Sequence, residues 1–351
     1  MPETVRVGLI GYGLAGVAFH APLIATTPGL QLAAIVTGNP ERQATAARDH
    51  PDARILASAE PLFAGDARVD AVVIASPNRT HVPLASAAIA AGLATVVDKP
   101  MAATADEARA LIASAHARGV LLTVFHNRRW DGDFLTLQRL LTDEALGGVH
   151  RFESRFERWR PEPRRTWRED GTPGEAGGLL YDLGSHLIDQ ALVLFGPATT
   201  VYAELDRRRP GVVVDDDSFV AVTHTSGVRS HLWMSSVAAQ GAPRMRVLGS
   251  KAAYTKYGLD VQEAALRAGA RPGPGWGEEL PEHWGRLGTD DDQQTVATEP
   301  GNYPEFYRRV ERALRDGSAP PVLPEEAVRS LDVIEAAQKS SAERRTIPLK
   351  V

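Results

Sequence analysis

A β-type run, Val5 to Ile10, passes without a break into Gly11-Tyr12-Gly13-Leu14-Ala15-Gly16, and this junction leaves few folds open. Glycine triplets at this spacing arise by chance in a chain with 31 glycines. Context gives this one its weight: a strand precedes it, and a helical stretch from Ala15 to about Ala25 follows. Each glycine then meets a physical need. Gly11 permits a tight turn, Gly13 removes the Cβ that would block a pyrophosphate, and Gly16 lets the helix lie close to the strand. The helix N-terminus offers free N–H groups to phosphate oxygens.

Further β-type runs recur at Leu30 to Val36, Val69 to Ala75, Thr95 to Val97 and Val120 to Phe125, with helical stretches such as Thr80 to Ala91 and Ala105 to Arg118 between them. Strands alternating with helices predict a parallel sheet covered on both faces. We therefore expect an α/β dinucleotide-binding (Rossmann) domain over residues 1–126. Beyond it the period changes. Asp133 to Leu146 reads as a helix, and then Phe152 to Trp159, Thr199 to Leu205, Ser218 to Thr225, Val228 to Ser236, Met245 to Leu248 and Ala252 to Tyr257 read as strands of period two. Residues 127–351 are thus expected to form an α+β substrate-binding and oligomerisation domain with a large, mainly antiparallel open sheet. On its first strand Arg151, Glu153, Arg155 and Glu157 share one face, which cross-strand charge pairing explains. Gly269 to Asn302, rich in Gly, Pro and charge, reads as a long excursion serving as a lid or an oligomer contact. Two amphipathic helices, Glu305 to Asp316 and Glu325 to Ser341, and a short strand, Thr346 to Leu349, close the chain.

Ligands of an open α/β sheet bind beyond the carboxyl ends of its strands. An acid about 20 positions after the glycines would bond an adenosine ribose and repel a 2′-phosphate. Here the second strand ends in Thr37-Gly38-Asn39-Pro40-Glu41-Arg42. The hydroxyl, amide and guanidinium groups of Thr37, Asn39 and Arg42 suit a phosphate, so NADP is favoured over NAD, with Glu41 as the one residue able to turn back toward a ribose. Later strands end in Ser76-Pro77-Asn78-Arg79-Thr80-His81 and in Asp98-Lys99-Pro100. Five lysines (Lys99, Lys251, Lys256, Lys339 and Lys350) stand among 39 basic residues, the rest being arginine. A lysine at the mouth of the sheet is therefore conspicuous, since an ammonium can titrate where a guanidinium stays charged.

The second candidate segment is Gly177-Gly178-Leu179-Leu180-Tyr181-Asp182-Leu183-Gly184-Ser185-His186. If it opens a helix, Asp182 and His186 share a face one turn apart, with Cβ atoms roughly 5–6 Å from each other. Leu183, Leu187, Ile188, Ala191, Leu192 and Phe195 form the opposite, buried stripe, and Gly196-Pro197 ends the helix. An imidazole with a carboxylate one turn away is a plausible general base; the other reading is a pair that caps and solubilises a packed helix. Upstream, Trp159, Arg160 and Trp167 can line a polyol pocket through guanidinium donors and ring faces, or form a Pro-stiffened solvated loop. The same two readings apply to Arg128 and Arg129. Asp215-Asp216-Asp217 and Asp290-Asp291-Asp292 lack histidines or glycines at ligand spacing and read as solvated turns, so no metal is expected.

Taken in order, the glycine fingerprint, the Ser76 to His81 loop, the Asp98-Lys99-Pro100 step and the Gly177 to His186 segment resemble the glucose-fructose oxidoreductase, inositol dehydrogenase and rhizopine catabolism (Gfo/Idh/MocA) family over essentially the whole chain. Gly11-Tyr12-Gly13, Phe19-His20-Ala21-Pro22-Leu23 and Phe125-His126-Asn127-Arg128-Arg129-Trp130-Asp131 look most like its bacterial NADP-dependent scyllo-inositol dehydrogenases. That family usually has Glu-Lys-Pro where this chain has Asp98-Lys99-Pro100, and the shorter acid keeps the charge. The resemblance implies a Lys99 that hydrogen-bonds the reacting hydroxyl, an Asp182 that orients substrate and a His186 that takes the hydroxyl proton. Expected substrate contacts are then Lys99, Trp159, Arg160, Trp167, Asp182 and His186. Expected cofactor contacts are Gly11, Tyr12, Gly13, Leu14, Ala15, Gly16, Thr37, Asn39, Arg42, Ser76, Pro77, Asn78, His81, Asp98, Lys99, Asn127 and Arg128. A homodimer or homotetramer joined through the C-terminal sheet is also implied. The expected activity is NADP-dependent oxidation of a secondary hydroxyl on a cyclic polyol or sugar, scyllo-inositol first among them. A nucleotide-sensing regulator of the same fold, or an enzyme that uses bound nucleotide for transient oxidation, are the alternatives.

Composition removes other classes. A formal net charge of −5 with scattered basic residues argues against a nucleic-acid partner. The absence of cysteine excludes disulfides, thiolate metal sites and a cysteine nucleophile. No apolar run approaches the ~18 residues of a membrane span, and Met1-Pro2-Glu3-Thr4 is no signal peptide, so a cytoplasmic protein is expected.

Overall fold

The computed structural model describes residues 4–163 and 175–350. Its first sheet contains β1 (Val5–Ile10), β2 (Leu30–Val36), β3 (Arg54–Leu56), β4 (Ala71–Ile74), β5 (Ala94–Asp98) and β6 (Leu122–Phe125), in the order β3-β2-β1-β4-β5-β6. All five pairings are parallel. Apart from the short edge strand β3, these strands are nearly continuous apolar runs buried along most of their length, as a sheet covered on both faces requires. Strand order reverses between β1 and β4, and an open sheet of this kind has its crevice there.

The second sheet contains β7 (Val149–Glu157), β8 (Ala198–Asp206), β9 (Asp217–His224), β10 (Arg229–Ser235), β11 (Met245–Gly249), β12 (Ala253–Lys256), β13 (Gly285–Gly288), β14 (Gln293–Val296) and β15 (Ile347–Pro348). Their order is β14-β13-β12-β11-β7-β10-β9-β8-β15, antiparallel except where β7 pairs with β10. Burial alternates strictly along β9, so one face is covered and the other open. Helices Ser185–Phe195 and Pro324–Glu343 cover the inner face. The second of these also packs on helix Ala105–Arg118 of the first sheet. One apolar cluster consequently runs from Ile74 and Val97 through Leu111 and Ile334 to Ile188, Phe152 and Leu232, joining the two sheets.

Several local expectations change. The stretch from 269 to 302 is in part sheet, since it supplies β13 and β14; these strands are four residues long and mostly polar or glycine, too short to show a period. β3 and helix Val261–Arg267 were equally illegible. Asp215 and Asp216 do not form a solvated turn: Asp216 is buried against Arg209 at 2.8 Å, whereas Asp290, Asp291 and Asp292 are exposed. Glu153 pairs chiefly along its own strand, with Arg155 at 3.1 Å and Arg151 at 3.2 Å, and across the sheet with Arg246 at 3.7 Å. Among the described residues no helix is long and apolar enough to cross a membrane, and no group of three acids or histidines is placed to hold a metal ion.

Candidate active site

The glycine loop sits at the carboxyl end of β1. Gly11 has φ +104°, and a Cβ there would stand 2.5 Å from the Ala75 carbonyl, so only glycine lets the loop close on the end of β4. At Gly16 a Cβ would meet the Gly11 carbonyl at 2.1 Å; its smallness serves the loop itself rather than helix-on-strand packing. Gly13 faces open space, its nearest neighbour being Arg42 Nη1 at 3.9 Å from the added Cβ position. This is a cradle that a side chain would partly fill, and it fits a pyrophosphate with a cation beside it. The expected α-helix from Ala15 starts instead as a π-helical turn, Gly16–His20, followed by Ala21–Ala25. Leu14 is 49 % exposed at the rim, while Tyr12 is buried edge-on against His50.

At the end of β2, Asn39 caps helix Pro40–Asp49 by accepting from the Arg42 N–H at 2.9 Å, so its Oδ1 serves the fold. Thr37 is buried and the Arg42 side chain is exposed beside the glycine loop.

The Lys99 ammonium, at the end of β5, donates to Asp182 Oδ1 at 3.1 Å and to the Asp182 carbonyl. The two halves of the chain therefore meet at this contact. Asp182 lies in a second π-helical turn, Leu180–Gly184, and His186 follows in helix Ser185–Phe195. The wider turn departs from the α-helical spacing expected between them. The carboxylate pairs with Lys99, and His186 Nδ1 is buried with no hydrogen-bond partner, so that nitrogen does not meet the polar partner foreseen for the imidazole. The first turns of this helix are buried almost all round rather than along one stripe. Burial, then the charges on Lys99, Arg128, His126 and Arg244, hold His186 well below the ordinary imidazole value. It is neutral at physiological pH.

Several residues expected at the cofactor are committed elsewhere. His81 is buried with Nδ1 2.8 Å from the Pro100 carbonyl and Nε2 2.9 Å from the Ser76 carbonyl, tying two loops together rather than facing a ligand. Asp98 accepts from the Lys99 N–H at 2.8 Å and lies 3.7 Å from His20 Nε2. Burial alone would raise its carboxyl, but His20, then Lys99 and His81, outweigh that and bring it to about 2. Ser76 Oγ bonds Thr80 Oγ1 at 2.6 Å, and Asn78 Nδ2 donates to the Ala176 carbonyl at 3.0 Å, a second bond between the halves. Pro77 precedes the single turn Asn78–Thr80. Asn127 is buried, and Arg128 spends its guanidinium on Glu263 at 2.5 Å and Asp131 at 3.3 Å while lying over Phe156. Of the expected substrate contacts outside the central three, Trp159 is 57 % exposed beyond β7, the Arg160 main chain bonds Ser236 and Arg209, and Trp167 lies outside the described residues.

Sequence reasoning missed the support around His186. His126, at the end of β6, stands edge-on to it with ring centroids 6.5 Å apart. His126 Nδ1 is 3.8 Å from Asp189 Oδ2, and Arg129 grips both oxygens of Asp189 at 2.8 and 2.6 Å. Asp189 falls three residues after His186 on the same helix, and that spacing was the available signal. Arg244 lies on Phe156, 4.2 Å from its ring centre, and bonds Gln190 at 2.9 Å.

Comparison with known proteins finds an oxidoreductase family over both domains. A family model for an oxidoreductase NAD-binding Rossmann fold matches residues 5–126, and one for an oxidoreductase C-terminal alpha/beta domain matches residues 138–350. The oxidoreductase YdgJ of Escherichia coli K12 is 43 % identical over 99 % of this chain and 100 % of its own. The scyllo-inositol 2-dehydrogenase (NADP(+)) IolW of Bacillus subtilis 168 is 38 % identical over 99 % of this chain and 97 % of its own. The solved oxidoreductase yvaA of Bacillus subtilis superposes with a TM-score of 0.92 at 37 % identity, over 99 % of both chains.

Proposed function

This chain belongs to the Gfo/Idh/MocA oxidoreductase family, and from that premise we propose that it is an NADP-dependent dehydrogenase of a secondary hydroxyl on a cyclic polyol or sugar, with scyllo-inositol as the leading substrate. The observation that carries the reading is Lys99 held on Asp182, with a neutral, buried His186 four residues further on. Oxidising an alcohol needs a base at oxygen and a hydride acceptor over carbon. When bound, the nicotinamide supplies the second. The Lys99 ammonium, steadied by Asp182, donates to the hydroxyl oxygen and stabilises the negative charge that grows there. His186 takes the hydroxyl proton through Nε2, because Nδ1 is enclosed. The cations that keep His186 neutral also make it a weak base, so the reaction depends on Lys99 lowering the barrier at oxygen. The product is a ketone, with one proton left on the protein.

NADP is favoured because Arg42 carries an exposed guanidinium at the glycine loop and no acid ends β2. We expect NADP with a panel of inositols and pyranoses to yield reduced cofactor, fastest on a cyclic polyol. Tight NADP binding with no reduction on any member would contradict the reading. The open face of the nine-stranded sheet, where Phe219 and Trp233 stand 5.1 Å apart and Arg155 lies on Trp233, supports pairing of two or four copies through that face. A monomer by light scattering at micromolar concentration would contradict it.

A further inference from the structure

The turn that carries Asp182 begins with N–H groups that its own helix cannot satisfy. Asp215 satisfies two of them. The Leu179 N–H donates to the Asp215 carbonyl at 3.1 Å, and the Leu180 N–H donates to Asp215 Oδ2 at 2.7 Å. Ser218 Oγ donates to the same carboxylate oxygen at 2.7 Å. Asp215 stands just before β9, so the nine-stranded sheet, from 35 residues downstream, caps this turn. Its neighbour Asp216 anchors the segment: it is buried, pairs with Arg209, and accepts from the Arg208 N–H at 2.7 Å.

Gly178 shows how closely the carboxylate fits. Its φ is +97°, and a Cβ there would stand 2.0 Å from Asp215 Oδ1. On the other side of the turn a Cβ on Gly184 would meet Met234 and Leu180 side chains at 3.2 Å. The turn is thus held between a carboxylate and the floor of β10. Its position matters directly to Lys99, whose ammonium bonds the Asp182 main-chain carbonyl as well as the carboxylate. A displaced backbone would move both acceptors together.

We propose that Asp215 is a positioning residue for the active site, acting through the Leu179 and Leu180 N–H groups to set where Asp182 holds the Lys99 ammonium. The proposal rests on the reading of Lys99 and Asp182 as the catalytic pair. It also explains why Gly178 is glycine, since the left-handed backbone and the approach of the carboxylate both exclude a side chain.

The test uses the full chain carrying Asp215→Ala, Asp215→Asn or Gly178→Ala, with NADP affinity, kcat and KM measured alongside amide hydrogen exchange. Misplacement by about 1 Å costs on the order of 10²-fold in turnover, so Asp215→Ala should lose about that much kcat while NADP affinity stays within about twofold. Asp215→Asn keeps an acceptor oxygen and should recover at least about tenfold of that loss, as amide caps replace carboxylate caps well. Gly178→Ala should reproduce the alanine variant. The amides of Leu179 to Asp182 should exchange faster in Asp215→Ala than in wild type or Asp215→Asn. Wild-type kcat in Asp215→Ala would overturn the proposal, as would equal losses of NADP affinity and turnover with no recovery by asparagine. Should wild type turn over no polyol at all, the dehydrogenase reading falls on its own, and hydrogen exchange still decides: unchanged protection of Leu180, whose N–H donates to the Asp215 carboxylate, overturns the positioning role in Asp215→Ala.

Discussion

In the proposed reaction Lys99 and His186 have different tasks, and their substitution should separate them. On that reading Lys99→Ala removes the group that steadies charge at oxygen, together with its bond to Asp182. His186→Ala removes the proton acceptor. Each should lower kcat by about 10²–10⁴-fold with little change in NADP affinity. Preserved turnover in either would refute the assigned role. Because burial and four neighbouring charged or titratable groups depress His186, the acid limb of the kcat/KM profile should lie below the ordinary imidazole value of about 6.5. A limb at or above that value would mean that another group titrates. At the cofactor, Arg42→Ala should weaken NADP by roughly 10- to 100-fold, the worth of a charge-assisted contact, and leave NAD unchanged; equal effects on both nucleotides would place the 2′-phosphate elsewhere.

Two π-helical turns, Gly16–His20 and Leu180–Gly184, mark the two halves of the site. Such turns place side chains where an α-helix would not, and they are common at functional sites. The first depends on a missing Cβ. Gly16→Ala would drive a methyl to 2.1 Å from the Gly11 carbonyl, and we expect a loss of about 1–3 kcal/mol in stability with loss of nucleotide binding, read by thermal melts with and without NADP. The strand-then-glycine junction, the alternation of helices with β1, β2, β4, β5 and β6, and the period-two strands β7 to β12 were readable because burial on one or both faces writes a pattern into the residues. The π-turns were not readable, since a change of helical register leaves the apolar residues of Leu183 to Phe195 much as an α-helix would. β13 and β14 escaped because each is four residues long and offers too few apolar positions to show a period. Lys99, Asp182 and His186 stood out as residue types at the right ends of elements. His81 and Asp98 stood out in the same way, although the structure uses them inside the protein. A motif names a place, and only packing says which side chain is left to meet a ligand.

For the molecule as a whole, several buried ionisable groups have a state that depends on folding. His81, His126, His186 and His224 are all depressed by burial first of all. An unfolded histidine takes up a proton near pH 6.5, whereas these do so only at lower pH, so below about 6.5 the unfolded state binds more protons and stability falls as the pH drops. Asp98 adds to this lower down: its stabilising contribution is complete above its unfolded value of about 3.9 and disappears as the pH falls toward about 2. Urea midpoints should therefore decline from pH 7 to pH 5 and further below pH 4; a flat profile would contradict the buried, neutral histidines.

In the proposed reaction one secondary alcohol loses its carbon-bound hydrogen to nicotinamide while Lys99 and His186 attend its oxygen. Scyllo-inositol carrying deuterium on its ring carbons, incubated with NADP and the wild-type protein, tests this most directly. Deuterium should appear at C4 of the reduced nicotinamide, in one stereochemical position, with none formed by the His186→Ala protein at comparable times. Reduced cofactor without deuterium, or no reduction with this or any other labelled cyclic polyol, would contradict it.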